Sequence, residues 1–550
     1  MREITIFLGG QAGEGIKRGA LTIGKLLNLY GYHVFIMDDY VSTIRGGQDY
    51  SEVHASQQEV FSQSGSEDIM FSFHNDVYER YKGKLKENGI VVLDGEDGLN
   101  VPFNRILKEY KGIPVTKPSI VLGVISYITD IPFSLVKKVL KSEFKEKGQK
   151  NIELAQYGFD LAKEKNFPKI SLSCGVKPPY PIVSGNELIA LGAVYSGMKI
   201  YTAYPITPAS SVLHFLAKES KRLHIAAVHT EDEISAIMMA IGAAYAGVPA
   251  MVGTSGPGID LMSEAISLAG GTEIPVVILD SQRAGPTTGV PTYTEQSDLN
   301  EVLHAGHGEF PRIVLAPGSI DECFELTVKA FQYAWWYQTP VFILSDKHIS
   351  ESSKTVNIPF EKQFKLPAKY FQGDGEYKRY LDTDDGISPF AIPGIKGVVN
   401  HTNSTEHTEE GYSSSLPHNV VKMKNKRMKK QDTINRDFLS ERTINMYGNA
   451  NAKNLIVSFG SPKGAILEAI QDLSVKYMQI IVADPFPYEK VKNVFNTVTN
   501  IIDVEQNSTA QLARLVKEKT GIEIKNKVLR YDGRPFDPFE LREKIEEALK

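Results

Sequence analysis

Cysteine is almost absent: Cys174 and Cys323 are the only two in 550 residues, and no CxxC spacing occurs. The four thiolates of an iron-sulfur cluster, or a zinc site built from cysteine, cannot come from this chain. A disulfide-framed secreted scaffold is equally excluded, which points to a reducing compartment. Long hydrophobic runs are missing too, since no window reaches the roughly 18 apolar residues of a membrane helix. The apolar stretch after Met1 ends at Gly9-Gly10, too short for a signal-peptide core. Together these predict a soluble, cytoplasmic protein. Nor is there an excess of charge of one sign: 61 Lys and Arg face 66 Asp and Glu, a net charge of −5. That balance argues against nucleic acid or an anionic membrane as the main partner.

The hydrophobic content of 42% and charged content of 23% are those of an ordinary globular protein. At roughly 150 residues per domain the length predicts three or four domains. Ile4–Leu8 reads as a strand, Gly9–Gly15 as a loop and Ile16–Tyr30 as a helix, followed by strands at His33–Met37 and Gly89–Asp94, in the doubly wound α/β manner. This domain is expected over 1–167, and the proline-rich segment 168–184 reads as a linker. A second α/β block is expected over 185–354, with strands at Ala226–Val228, Pro249–Val252, Pro275–Leu279 and Pro340–Leu344. A connecting region, 355–450, contains the basic run Lys422–Lys430, read as a solvated helix or loop. A last α/β unit, 451–550, has strands at Asn454–Gly460, Gln479–Asp484 and Asn500–Glu505.

Two glycine motifs invite cofactor readings and fail on detail. The first loop joins a strand to a helix, but its glycines fall as Gly10-x-x-Gly13-x-Gly15, the reverse of the dinucleotide pattern. Gly373-Asp374-Gly375, with Asn400 downstream, imitates the metal and diphosphate motif of thiamine enzymes. It is flanked by Gln372 and Glu376-Tyr377-Lys378-Arg379, which predicts an exposed turn.

The informative stretch is 201–298. Tyr204-Pro205-Ile206-Thr207-Pro208 is a stiff loop after a strand, the position where α/β folds bind ligands. Glu231-Asp232-Glu233 opens a small-residue helix; the default role of such acids is to complement the helix dipole, and a partly buried one acquires a raised pKa suited to proton chemistry. Thr254-Ser255-Gly256-Pro257-Gly258 follows a strand with glycines that admit close approach. Gln282-Arg283-Ala284-Gly285-Pro286-Thr287-Thr288-Gly289-Val290-Pro291-Thr292 places one arginine among hydroxyls, a natural carboxylate clamp.

These four motifs, in this order, resemble the α subunit of 2-oxoacid:ferredoxin oxidoreductases, while the N-terminal GGQAGEG and Ile44-Arg45-Gly46-Gly47 resemble the γ subunit. Pro485-Phe486-Pro487 and Glu505-Gln506-Asn507 extend the resemblance towards the end of the chain. It implies a fused γα subunit with a γ-type α/β domain, a pyrimidine-type α/β domain and a C-terminal transketolase-C-like α/β domain. The implied activity is conversion of a 2-oxoacid (2-oxoglutarate, pyruvate or a broad range) and coenzyme A to acyl-CoA and carbon dioxide, with reduction of ferredoxin. It implies thiamine diphosphate shared with a separate β subunit that carries Mg2+ and the iron-sulfur cluster. Glu233 matches the acid that hydrogen-bonds the aminopyrimidine, with Glu231 the alternative at a slip of two residues. Thr207 and Arg283 match the substrate-holding positions, with Tyr204, Pro205 and Thr292 beside them, and Ser255 and Gly256 line the cofactor. Asp260 stands where the family pattern has a small hydroxyl residue. For Gly10, Gly13, Gly15 and Arg45 two roles stay open, receiving coenzyme A or bracing the assembly. The rival readings are an inactive scaffold or regulatory subunit and a thiamine-dependent transferase without electron transfer.

Overall fold

The computed structural model describes residues 2–41, 47–176, 179–358, 365–373 and 375–550. The chain forms two compact units, one of Met1–Ser184 with Glu351–Ile358 and Asp537–Arg542, the other of Gly185–Ser350, Pro359–Phe536 and Glu543–Lys550. Among the described residues no single helix is long and apolar enough to cross a membrane.

The first unit is built on an eight-stranded mixed sheet. The strands Glu3–Gln11, Glu67–Ser72, Leu85–Leu93 and Leu99–Asn100 form a parallel half, so the expected strand near Gly89–Asp94 is present and parallel. The other half is antiparallel, which corrects the doubly wound reading of this region. The strand Gln48–Ser56 lies between Glu3–Gln11 and His33–Asp39 and runs antiparallel to both. It escapes a hydrophobic pattern search because Ser51, Glu52 and His54 are buried within it. Glu52 is tolerated there because the amides of Ser64 and Gly65 donate to its carboxylate. Residues of the proline-rich segment bond back onto this unit, with the amides of Ile170 and Leu172 donating to the carbonyls of Ile128 and Thr129. Ile182–Ser184 and Ser353–Thr355 complete the sheet edge.

The second unit holds a seven-stranded sheet in the order Val482–Asp484, Ile313–Leu315, Pro340–Asp346, Val276–Gln282, Ala250–Thr254, Ile200–Ala203, Ala226–His229. All pairings are parallel except the first. Val276–Gln282 and Pro340–Asp346 are buried along their whole length, as central parallel strands covered on both faces must be. The same unit contains a five-stranded sheet, Ile444–Gly448, Val475–Ile480, Asn454–Phe459, Asn500–Glu505, Asn526–Leu529. The run expected as one strand at Gln479–Asp484 breaks at Ile481: Val475–Ile480 belongs to the five-stranded sheet and Val482–Asp484 to the other. One hydrophobic core joins the two sheets, with Ile278 and Phe342 in the same cluster as Val457 and Met478.

The basic run is solvated on one face only. It lies in the helix Pro417–Asp437, whose Lys426 and Lys430 are at most 1% exposed. Both pair with Glu273, itself 1% exposed, while Arg379 donates to the carbonyls of Thr272 and Glu273. Burial opposes ionisation of Glu273, yet Lys426, Lys430 and Arg379 hold its carboxyl well below the ordinary range. A count of charges along the run averages over the helical turn, whereas Met423, Lys426, Arg427 and Lys430 share the inward face.

Candidate active site

Six of the seven strands run the same way, so the loops after Ala203, His229, Thr254, Gln282 and Asp346 leave from one edge, the carboxyl edge where open α/β sheets bind ligands. Four of these five loops are the ones singled out from the sequence.

The helix Glu233–Tyr245 begins cleanly because Asp232, in extended conformation, accepts a hydrogen bond from the Ser235 amide at 2.7 Å. It ends at Gly247, whose φ of +82° suits a left-handed cap. Its inward stripe is Ala236, Ile237, Ala240, Ile241 and Ala244. The three acids at its start therefore differ: Glu231 is exposed, Asp232 caps, and Glu233 is 6% exposed at the first helical position. The Glu233 side chain lies over Gly258, where a Cβ would sit 2.8 Å from its Cγ and 1.9 Å from Thr254 Oγ1. Gly258 is thus required by close packing of the helix Gly256–Gly271 against this acid.

Ser255 stands at the N-cap of that helix, yet its hydroxyl does not cap it. The residue is fully buried and its Oγ has no hydrogen-bond partner among the described residues. Gly256 packs against Asp298, whose Oδ2 would lie 2.6 Å from a Cβ at that glycine.

Arg283 follows the central strand Val276–Gln282 and is 7% exposed. Its Nη1 donates to the Thr207 carbonyl at 2.8 Å, tying it to the YPITP loop, while its Nε is buried without a partner. Burial lowers the guanidinium pKa, and the charges of Asp298 and Glu233 act against that effect. The loop beyond it is closed by Ala284–Val290 and Ala284–Tyr293 backbone bonds. It leaves Thr292 buried with its Oγ1 unpartnered. Tyr204 is 42% exposed beside His229, and Pro205 and Thr207 are half-buried. A cavity of about 580 Å3 opens in front of Arg283, bordered by Gly256, Asp260, Glu295, Asp298 and Glu301. Asp260, the departure from the family pattern, is exposed at its rim.

Sequence reading missed the clasp that holds this loop. Gln296 and Gln506 exchange bonds, the Gln296 amide donating to the Gln506 carbonyl at 2.7 Å and the Gln506 amide to Gln296 Oε1 at 3.1 Å. Asn507 donates to the Gln296 carbonyl, and Gln282 accepts from the Asp298 amide. The motif Glu505-Gln506-Asn507 was the available signal, but nothing local to it names a partner some 210 residues away. Asp280 and Asp298 were missed as well. Asp280 is fully buried, and neither of its oxygens has a partner among the described residues.

The other singled-out motifs lie elsewhere. Gly10 is within the strand Glu3–Gln11, and Gly13 and Gly15 have φ of +94° and +80°. Between them Glu14 accepts from the Gln11 amide, His74 Nε2 and Lys117 Nζ. Arg45 is outside the described residues. Gly373 and Gly375 are exposed, Asp374 is outside the described residues, and Asn400 donates to the Ala391 carbonyl.

The chain is similar to known proteins along most of its length. A family model described as pyruvate flavodoxin/ferredoxin oxidoreductase, thiamine diphosphate-binding, matches residues 191–426, and one described as pyruvate ferredoxin/flavodoxin oxidoreductase matches 5–161. The 2-oxoacid:ferredoxin oxidoreductase subunit alpha of a Sulfolobus species is 33% identical over 98% of this chain and 96% of its own. The 2-oxoglutarate oxidoreductase subunit KorA of Mycobacterium tuberculosis is 35% identical over 68% of this chain and 58% of its own. The solved 2-oxoglutarate:ferredoxin oxidoreductase of Magnetococcus marinus, with 2-oxoglutarate, coenzyme A and succinyl-CoA bound, is 31% identical, covers 100% of both chains and superposes with a TM-score of 0.92. With motifs, loop placement and near full-length similarity all in agreement, this chain belongs to the 2-oxoacid:ferredoxin oxidoreductase family.

Proposed function

We propose that the chain is the γα subunit of a 2-oxoacid:ferredoxin oxidoreductase. With a separate β subunit it catalyses coenzyme A-dependent oxidative decarboxylation of a 2-oxoacid to acyl-CoA and carbon dioxide, with electrons passing to ferredoxin. The observation that carries this reading is a set of buried polar atoms with no partner among the described residues, at the carboxyl edge of one sheet: Ser255 Oγ, Arg283 Nε and Thr292 Oγ1. Such groups are costly unless a ligand satisfies them. Glu233 adds a carboxylate that accepts no hydrogen bond from the described residues.

These residues fit the aminopyrimidine side of thiamine diphosphate, which when bound supplies the nucleophile and the electron sink for decarboxylation. Glu233 is placed to hold a proton-bearing ring nitrogen, and its burial, against the exposure of Glu231, supports it over that neighbour. Ser255 and Gly256 line the same side, the glycine allowing close approach. Arg283 is the carboxylate clamp, held from behind by Thr207. Thr207, Thr292, Tyr204 and Pro205 shape the substrate pocket, and their contribution is orientation of the bond to be broken. Ile234 and Met238, one turn apart, and Leu261 on the neighbouring helix are each more than 40% exposed close to this half-site. They suit a partner chain that completes the site. With two cysteines in the chain, the iron-sulfur cluster, and Mg2+ with the diphosphate, are assigned to the β subunit.

As substrate we favour 2-oxoglutarate or a broad range of 2-oxoacids, in keeping with the names of the relatives. We place the protein in the cytoplasm. We keep the functional division into a γ-like part (1–167), linker (168–184), pyrimidine-type part (185–354), connecting region (355–450) and C-terminal part (451–550), and assign bracing rather than coenzyme A binding to the Gly10–Gly15 loop. The test is co-expression with the β chain and assay of coenzyme A-dependent reduction of ferredoxin or a viologen dye against a panel of 2-oxoacids. Reduction with at least one acid is expected; none from a cofactor-loaded complex overturns the reading.

A further inference from the structure

Asp298 occupies the N-cap position of the helix Leu299–His304, but its carboxylate does not cap that helix. Its amide is held at 3.1 Å by Gln282 Oε1, and its side chain turns to the cavity in front of Arg283. There Oδ1 accepts a bond of 3.3 Å from the Ser297 hydroxyl, and Oδ2 lies against Gly256. The charge of Asp298 raises the pKa of the fully buried Asp280, whose oxygens have no partner among the described residues, while Glu301, Glu295, Asp260 and the Arg283 guanidinium act on Asp298 itself. Burial, partly offset by the Ser297 hydroxyl and reinforced by Glu301, Glu295 and Asp260, pushes its carboxyl up to about 7.

Resting on the reaction assigned above, we propose that Asp298 is the base that takes the thiol proton of coenzyme A in the acyl-transfer step. The overall reaction consumes a 2-oxoacid anion, a thiol and oxidised ferredoxin, and yields a thioester, carbon dioxide, reduced ferredoxin and one proton. That proton is the thiol hydrogen, so some group must accept it. When carbon dioxide leaves, the space before Arg283 that held the carboxylate is vacated, and the acyl carbon faces it. A thiol entering that space meets a guanidinium that favours the thiolate and, across the same cavity, the Asp298 carboxylate. The S–H bond breaks with its proton passing to Asp298, the sulfur electron pair forms the C–S bond, and the two electrons given up by the acyl carbon go to ferredoxin. Asp298 then loses the proton to water in the cavity. A base whose pKa lies near the working pH is the effective kind for such a transfer.

The test compares Asp298→Asn and Asp298→Glu in the assembled complex with the β subunit. For Asp298→Asn, acyl-CoA formation is expected to fall roughly a hundredfold or more, and the rise of rate with pH through about 7 to disappear. Carbon dioxide released in a first turnover without coenzyme A should change by less than about fivefold, since that step precedes the thiol. Asp298→Glu, which keeps a carboxylate, should recover at least about a tenth of the rate with a displaced acid limb. Acyl-CoA formation within about threefold of the parent in Asp298→Asn would overturn the proposal. So would an equal loss of carbon dioxide release, which would make Asp298 a support for Arg283. If the Asn variant fails to assemble, the Glu variant decides, and an unshifted acid limb in it counts against the proposal. Failure of the unmodified complex to reduce ferredoxin with any 2-oxoacid is a separate outcome, one that removes the underlying reading itself.

Discussion

The loops at Gly10–Gly15 and at Thr254–Gly258 look alike in sequence, each a glycine-bearing turn from a buried strand into a helix. Their chemistry is opposite. In the first, Glu14 sits at the helix start and is satisfied by the Gln11 amide, His74 and Lys117, the last only 2% exposed. The chain has supplied both the anion and its partners. In the second, Ser255 Oγ is buried and unpartnered, and Arg283 Nε and Thr292 Oγ1 share that condition after the neighbouring strand. Glycine spacing does not separate a brace from a binding loop; whether the polar atoms around it are already paired does.

The comparison can be broken first at its functional end. Glu233→Gln in the assembled complex is expected to lower turnover roughly a thousandfold with assembly intact. Near-normal turnover would remove Glu233 from its assigned role and reopen Glu231. Next comes Arg283→Lys, which keeps the charge but gives up the planar fork. A fall of about a hundredfold in kcat/KM for the 2-oxoacid is expected, measured by dye reduction across acid concentrations. An unchanged value would move the carboxylate elsewhere.

At the other end, Glu14→Gln leaves the buried Lys117 uncompensated and is expected to cost about 3 kcal/mol of stability, read from denaturant unfolding, with no change in the KM for coenzyme A. A raised KM at unchanged stability would turn the brace into a ligand loop. The same carboxylate gives a pH signature. Burial resists its ionisation, but His74, the Gln11 amide and Lys117 outweigh burial and hold it at about 2 against an ordinary 4.5. Because the folded value is depressed, its stabilisation is present in full above pH 4.5 and is lost as the pH falls towards 2; Glu14→Gln should flatten unfolding midpoints across that window. The smallest effect is expected from Gly13→Ala: at a φ of +94°, with none of the described residues beyond its chain neighbours within 4 Å of the new Cβ, the expected cost is backbone strain, about 1 kcal/mol.

Where a signal is local, the sequence reads correctly. The strands at Val276–Gln282 and Pro340–Asp346 are apolar runs, and the helix from Glu233 carries both its cap and its stripe within a few residues. Gln48–Ser56 was illegible because Glu52 and His54 break the pattern and are satisfied by partners further along the chain. The run Lys422–Lys430 misled because Glu273, which pairs with its buried Lys426 and Lys430, is 153 residues from the first of them. That the loops after Ala203, His229, Thr254 and Gln282 share one edge was legible, since parallel strands send such loops to one side. Their pairing was not: Arg283 to Thr207, Gln296 to Gln506, and Gly256 to Asp298 are contacts between segments that share no local pattern.

The sequence by itself determined the family, the shortage of cysteine and the residue types at each loop, because composition, periodicity and turn chemistry are properties of neighbouring residues. Only the tertiary structure decided which of the acids at 231–233 is buried, which glycine loop is already filled, and that Asp298 shares a cavity with Arg283. Burial and hydrogen-bond satisfaction are set by what packs against a group, and in this chain the groups that pack together come from positions tens to hundreds of residues apart.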